Sequence, residues 1–208
     1  MKNKKKLHLS RKIWHVTTGL AGLGVYYLAN LSTYEAAMVC FTMTFLDLVL
    51  ELSRLHYSAL NKLFMKVMGP FLKTTEKNTL SGFPYYTLGC GLSFYFFTEP
   101  IAILSILFLI FADPLSSAFG ILYGKDQLFS NKTLQGSIAG VVVCYIISLA
   151  YGMMHDAYGT ELLVFSLLAG IVGSISEMIS YGHLDDNLSI PVISGLGITF
   201  LNLFFNFF

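Results

Sequence analysis

Carboxylates interrupt otherwise apolar stretches of this chain at Asp113, Glu177 and Asp185-Asp186, and two lysines, Lys125 and Lys132, stand between the first and second. Carboxylates hold divalent cations, and Mg2+ is typically held by one or two of them together with phosphate oxygens. Lysine amines hold the phosphates themselves. Asp113 is the most informative of the set. It lies in "FLIFADPLSSAFGILYGK" (Phe108–Lys125), which reads as a membrane-spanning helix until Asp113-Pro114. Lys125 follows 12 residues later, roughly 18 Å along a continuous helix. That depth exceeds half of an apolar core of about 30 Å. A lone carboxylate there costs at least ~2.5–3.5 kcal/mol, so it must face the bundle interior or a water-filled cavity. The residue before proline avoids the helical region, whereas proline is accepted at a helix's first position. Asp113 is therefore expected to cap a new half-helix, with Ser116 and Ser117 in its first turn and the span broken there. A capping aspartate at a kink, without chemistry, is the simpler alternative.

Two further stretches carry compatible residue types. "YGKDQLFSNKTLQGS" (Tyr123–Ser137) offers Lys125, Lys132, Thr133, Gly136 and Ser137, a set of amines and backbone donors suited to phosphates. It is not a Walker A loop, because Gly120-x-x-x-Gly124-Lys125-Asp126 lacks the spacing and the terminal hydroxyl. In "SEMISYGHLDDNLSIP" (Ser176–Pro191), Glu177, Asp185 and Asp186 could share a divalent cation with nucleotide phosphates, and Asn187 could bond a phosphate or a base. A solvated Asp-Asp-Asn turn is the alternative. Asp47, Glu51 and Arg54 follow one another at i, i+4 and i+7, a spacing that favours an internal ion pair over a site. Cys40, Cys90 and Cys144 lie far apart inside apolar segments and read as small core residues.

The elements that must position these residues are apolar helices. Of 208 residues, 55% are hydrophobic and only 12% charged, with a mean hydropathy of +0.66, which excludes an ordinary soluble domain. The fold class is all-α, a polytopic integral membrane bundle forming one domain over residues 1–208. Seven segments approach the roughly 20 apolar residues a span needs: about 11–31, 34–54, 79–97, 100–123, 134–154, 161–180 and 190–207. The basic start (1–10) resembles a signal-peptide n-region, but His15 interrupts the apolar part, so a retained first span is expected. In the long link (55–78), Leu60, Phe64, Val67 and Phe71 recur at helical spacing among lysines. That pattern fits an amphipathic interfacial helix, or one packed on other loops, broken at Gly69-Pro70. All 13 Lys and Arg fall at alternate ends of these spans, on one side. The positive-inside rule then places the N-terminus in the cytoplasm. Glu35, Glu99, Asp156 and Glu161 fall on the opposite side, whereas His15, Asp113, Glu177 and Asp185-Asp186 gather on the cationic side. That side suits a water-soluble, anionic co-substrate. Gly136-x-x-x-Gly140 and Gly170-x-x-Gly173 are read as sites of close helix approach. No internal repeat is evident.

Four pieces together, "RKIWHVTTG" (Arg11–Gly19), "FADPLSSAFGILYGK" (Phe111–Lys125), "NKTLQGSIAG" (Asn131–Gly140) and "EMISYGHLDDNLSIP" (Glu177–Pro191), resemble the CTP-dependent lipid-alcohol kinases: dolichol kinase, phytol kinase and the CTP-using diacylglycerol kinase. The resemblance spans nearly the whole chain. It implies transfer of the γ-phosphoryl group of CTP to a lipid hydroxyl at the cytoplasmic face of a membrane, with Mg2+. It assigns the Asp113 segment, the Lys132-Thr133…Gly136-Ser137 loop and Asp185-Asp186-Asn187 to the nucleotide site. Within that frame, Asp113 and Asp186 are the expected catalytic residues. Asp113, Glu177 and Asp185 are the expected metal ligands, and His15 is accessory. Lys125, Lys132, Thr133, Gly136, Ser137 and Asn187 are expected at the nucleotide. The family usually carries glycine and an acid where Asn131 and Gln135 stand here. The partners implied are a lipid alcohol, a nucleoside triphosphate and the bilayer, with no nucleic acid; the oligomeric state is left open. Two other readings stand beside this one. A CDP-lipid-forming cytidylyltransferase would need a longer signature of which "YGHLDD" is a fragment. A small ion-coupled transporter would use Asp113 in a broken helix.

Overall fold

The computed structural model describes residues 8–129, 132–179 and 185–208. Asn131, the "YGH" of the third stretch and the lysines before His8 lie outside the described residues. Helices α1 (Leu9–Leu28), α2 (Thr33–His56), α3 (Ser58–Met68), α4 (Phe83–Phe96), α5 (Glu99–Leu107), α6 (Asp113–Tyr123), α7 (Leu134–Met154), α8 (Gly159–Ile179) and α9 (Asp186–Phe205) follow in chain order. A two-residue-deep antiparallel ribbon, β1 (Gln127–Phe129) with β2 (Lys132–Thr133), joins α6 to α7. Among the described residues, five helices are long and apolar enough to cross a membrane: α2, the continuous α5–α6 unit Glu99–Tyr123, α7, α8 and α9. Helix α4 has 14 residues, about 21 Å of rise, short of an apolar core of about 30 Å.

The α5–α6 unit is the axis of the bundle. Two thirds of its apolar window is buried, against 22–50% for the other four. Ile101 to Ile106 are buried on every face, as expected of a helix that is hydrophobic all round. Glycines let its neighbours close in. A Cβ at Gly170 of α8 would lie 2.8 Å from Val141 O of α7, and one at Gly173 would lie 2.6 Å from Cys144 Sγ. These are packing contacts.

The expected break at Asp113-Pro114 is not a break. Residues Phe108–Ala112 form a π-helical turn, Asp113 itself has helical dihedrals (φ −57°, ψ −54°), and α6 continues α5 without capping by the Asp113 side chain. The π turn is the physical substitute for a kink. In that pattern the carbonyl of residue i pairs with the N–H of i+5. Five residues beyond Leu109 is Pro114, which has no N–H to give. His15 of α1 fills the gap, its Nε2 lying 3.0 Å from Leu109 O. Because a carbonyl only accepts, Nε2 carries the hydrogen in this pair. Helix α1 can come this close because Gly19, one turn along, has no side chain to clash with Tyr86 and Ile110.

The long link is strapped to α2 by a buried ion pair. Arg54 (fully buried) donates from Nε to Glu51 Oε1 (2.9 Å) and from an Nη to Glu51 Oε2 (2.6 Å). Its remaining donors reach Glu76 O (3.0 Å), Thr79 O (2.9 Å) and Asn61 Oδ1 (3.1 Å), while Ser81 N donates to Glu51 Oε2 (2.8 Å). The guanidinium also lies 4.8 Å over the Phe64 ring. Asp47, the third member of the i, i+4, i+7 set, stands apart and accepts from Thr87 Oγ1 at 3.4 Å. Arg54→Met should cost about 3 kcal/mol of stability, since it leaves Glu51 buried and unpaired. Thermal unfolding in detergent checks this, and Glu51→Gln in the same background should recover part of the loss.

The contacts sort the bundle into two ends. Ser10 Oγ donates to Pro70 O (2.7 Å) and Trp14 stacks on Phe71 at 4.6 Å, joining the start of α1 to the long link, and Lys132 joins the β-ribbon to the last turn of α8 and the first turn of α9 at the same end. At the other, Phe165 packs edge-on against Phe205 and Phe208, and Ser32 caps α2 reciprocally with Glu35.

Candidate active site

Lys132 is the centre of the polar end. Its Nζ donates to Glu177 Oε1 on α8 (2.7 Å) and to Asp186 Oδ2 on α9 (3.3 Å). The ribbon delivers the lysine, since β2 is only two residues long and α7 begins directly after it. Burial alone would lower the Lys132 pKa, but Glu177, Asp186 and Asp113 outweigh it and hold the amine well above the ordinary lysine range. A raised folded-state value means stabilisation is fully present below the unfolded lysine pKa and lost only at strongly alkaline pH. The amine is therefore charged throughout the physiological range.

Asp113 faces this pair across the start of α6. Its carboxylate is half-buried, and among the described residues no donor hydrogen-bonds to it. The ionisable groups that act on it are His15, Lys132, Arg11 and Lys12. Lys12 was not singled out from sequence as a site residue. It shares one face of α1 with His15, at i, i+3, and its Nζ donates to Pro114 O (3.0 Å). That spacing, Lys-x-x-His facing a proline-interrupted helix, is the signal that would have found it. Two α1 side chains thus clamp the backbone on either side of Asp113.

Several of the expected ligands also make contacts that hold helices together. Thr133 Oγ1 accepts from Gly136 N (3.3 Å) as the N-cap of α7. Gly136 is where α7 meets α6, for a Cβ there would lie 2.9 Å from Ser116 O. Ser137 O accepts from Ser174 Oγ (3.0 Å). Asp185 Oδ1 accepts from Asn187 N (3.0 Å), capping α9, and Asn187 Nδ2 donates to Gly82 O (3.3 Å), tying α9 to the entry of α4. Lys125 stands exposed at the end of α6 and makes no ion pair among the described residues. Gln135 spans this loop: its Oε1 accepts from Lys125 N (2.9 Å) and Asp126 N (3.3 Å), and its Nε2 donates to Asp126 Oδ2 (2.7 Å). The structure thus brings Asp113, Lys132, Glu177 and Asp186 together and leaves Lys125 outside.

The described residues contain no group of three or more His, Cys, Asp or Glu ready to hold a metal. Mg2+ does not require one, because it is commonly held by one or two carboxylates with the rest of its shell from water and phosphate. The convergence of Glu177 and Asp186 on a single cation position, beside an Asp113 to which no donor among the described residues bonds, fits that demand.

A multi-pass apolar bundle with an ionisable centre at one end defines the class, and comparison with known proteins supplies the family. The chain is 32% identical, over 92% of its length and 66% of the relative's, to CTP-dependent diacylglycerol kinase 1 of Eremothecium gossypii. It is 30% identical to CTP-dependent diacylglycerol kinase 1 of Schizosaccharomyces pombe, over 91% of each chain. A probable chloroplastic phytol kinase 2 of Oryza sativa is 28% identical over 90% of this chain and 64% of its own. No family model and no solved structure matches. The chain belongs to the family of CTP-dependent lipid kinases.

Proposed function

We propose that this protein transfers the γ-phosphoryl group of CTP to the hydroxyl of diacylglycerol at the cytoplasmic face of its membrane. The observation that carries the reading is the meeting of Lys132, Glu177 and Asp186, from three separate elements, next to Asp113. Diacylglycerol is chosen over phytol because the relatives named for it are the more similar. The cytoplasmic assignment rests on the one-sided lysines and arginines, with seven crossings that count α1 and the short α4.

In this reading CTP enters from the cationic end. Glu177, Asp186 and Asp113 would hold Mg2+, which supplies charge neutralisation on the β- and γ-phosphates. Lys132 then exchanges carboxylate partners for phosphate oxygens, and Lys125 adds charge at the rim. Asp113 accepts the proton of the lipid hydroxyl as its oxygen bonds to the γ-phosphorus. The bond from that phosphorus to the β–γ bridging oxygen breaks, and CDP leaves. Phosphoryl transfer asks for alignment and electrostatic stabilisation more than a protein nucleophile. His15 and Lys12 act through the backbone, fixing the π turn that aims Asp113.

The test is purified protein in nanodiscs with diacylglycerol, phytol or a polyprenol, and CTP labelled at either the α or γ phosphate. Label from the γ position in phosphatidate supports the assignment. Label from the α position in the lipid product would make the enzyme a cytidylyltransferase and overturn it. Gln135 yields a finer prediction. An acid at this place can accept from the two N–H groups but cannot donate to Asp126, and it adds like-charge repulsion. Gln135→Glu should raise KM for CTP about fivefold through a loosened loop while kcat changes little. Steady-state kinetics at saturating lipid checks it.

A further inference from the structure

Helix α3 (Ser58–Met68) is amphipathic but buries none of its residues. One side is pinned: Asn61 accepts from Arg54, donates to Lys77 O (3.0 Å), and Phe64 lies under the Arg54 guanidinium. The other side is bare. Leu63 and Val67, one turn apart, are 61% and 62% exposed, with the exposed amines of Lys62 and Lys66 immediately beside them. Tyr57, just before the helix, is 62% exposed as well.

Aliphatic side chains flanked by lysines at the same spacing form a face whose stems lie along apolar surface while the amines rise to meet negative charge. We propose that this face of α3 docks on the anionic lipid headgroups of the membrane in which the bundle sits, making α3 a reader of leaflet charge. Charge complementarity selects the occupant. Helix α3 carries Lys62 and Lys66 but no acidic residue. A protein partner would be expected to meet the two aliphatics with a pocket. A charged leaflet needs only a shallow apolar layer and counter-charge, which is what the face offers. The pinned side fixes the orientation, because the Arg54 network holds α3 while the Gly69–Phe71 turn stacks Phe71 on Trp14 of α1.

The test is hydrogen exchange of residues 58–68 in the full chain, in nanodiscs of phosphatidylcholine alone and with about a third phosphatidylserine. It does not use catalytic turnover, so its failure is distinct from failure of the kinase assignment. Exchange should slow by about 25-fold with the anionic lipid, since each of the two lysines near such a surface is worth roughly a fivefold preference. Lys62→Gln with Lys66→Gln should abolish the difference, and 0.5 M salt should shrink it. Leu63→Gln with Val67→Gln should speed exchange in both lipids. Equal exchange in both lipids, or an undiminished difference in the lysine variant, overturns the proposal. So does slowing seen only in discs holding two copies, which would make this face a contact between chains.

Discussion

Asp113→Asn is expected to lower turnover with CTP and diacylglycerol by about a thousandfold while the protein still folds and binds lipid. General-base assistance is commonly worth about 10²–10⁴ in rate, and an amide neither accepts the hydroxyl proton nor adds charge toward a cation. The structural cost should be small, because no donor among the described residues depends on that carboxylate. Removing a half-buried charge from a bundle can even raise stability. The two readouts therefore move in opposite senses: γ-label transfer collapses, and thermal unfolding stays put or rises. Turnover within tenfold of the parent would remove Asp113 from the chemistry and leave it a tolerated feature of the π turn.

Helix positions were legible where composition alone determines them. The segments read as spans at 34–54, 134–154 and 161–180 match α2, α7 and α8 within a few residues, and α3 ends at the Gly69-Pro70 punctuation. Glycines spaced for close approach were legible for the same reason, since a missing Cβ has few other uses in an apolar helix. The π turn was not. Local rules for the residue before proline predict a break, and what prevents it is a donor 94 residues away, His15, supplying the bond the proline withholds. Caps were ambiguous in another way. Thr133 and Asp185 have the side chains a phosphate site would use, yet the same short oxygens start helices. The observed partners show the capping use. The ion-pair centre was legible as residue types on one side of a membrane. Its pairing was not, because Lys132 reaches across 45 and 54 residues to its partners.

That pairing makes Lys132 the most exposed point of the mechanism to test. In the free enzyme its amine stands where Glu177 and Asp186 converge, so it neutralises two carboxylates before any co-substrate arrives. Lys132→Met removes that charge and leaves Glu177, only 7% exposed, without its amine partner. Stability should fall by about 2 kcal/mol, less than for a wholly buried pair because a quarter of the lysine side chain is accessible. Turnover should fall about a thousandfold, since the same amine is needed by the phosphates in the transition state. Adding Glu177→Gln separates the two roles. The double variant should regain most of the lost stability, because the buried charge is gone, yet remain as inactive as Lys132→Met. Thermal unfolding and γ-label transfer on all four combinations measure both couplings in one cycle. If activity returned together with stability, Lys132 would be a structural counterion to Glu177 and the phosphates would have to be held by other groups.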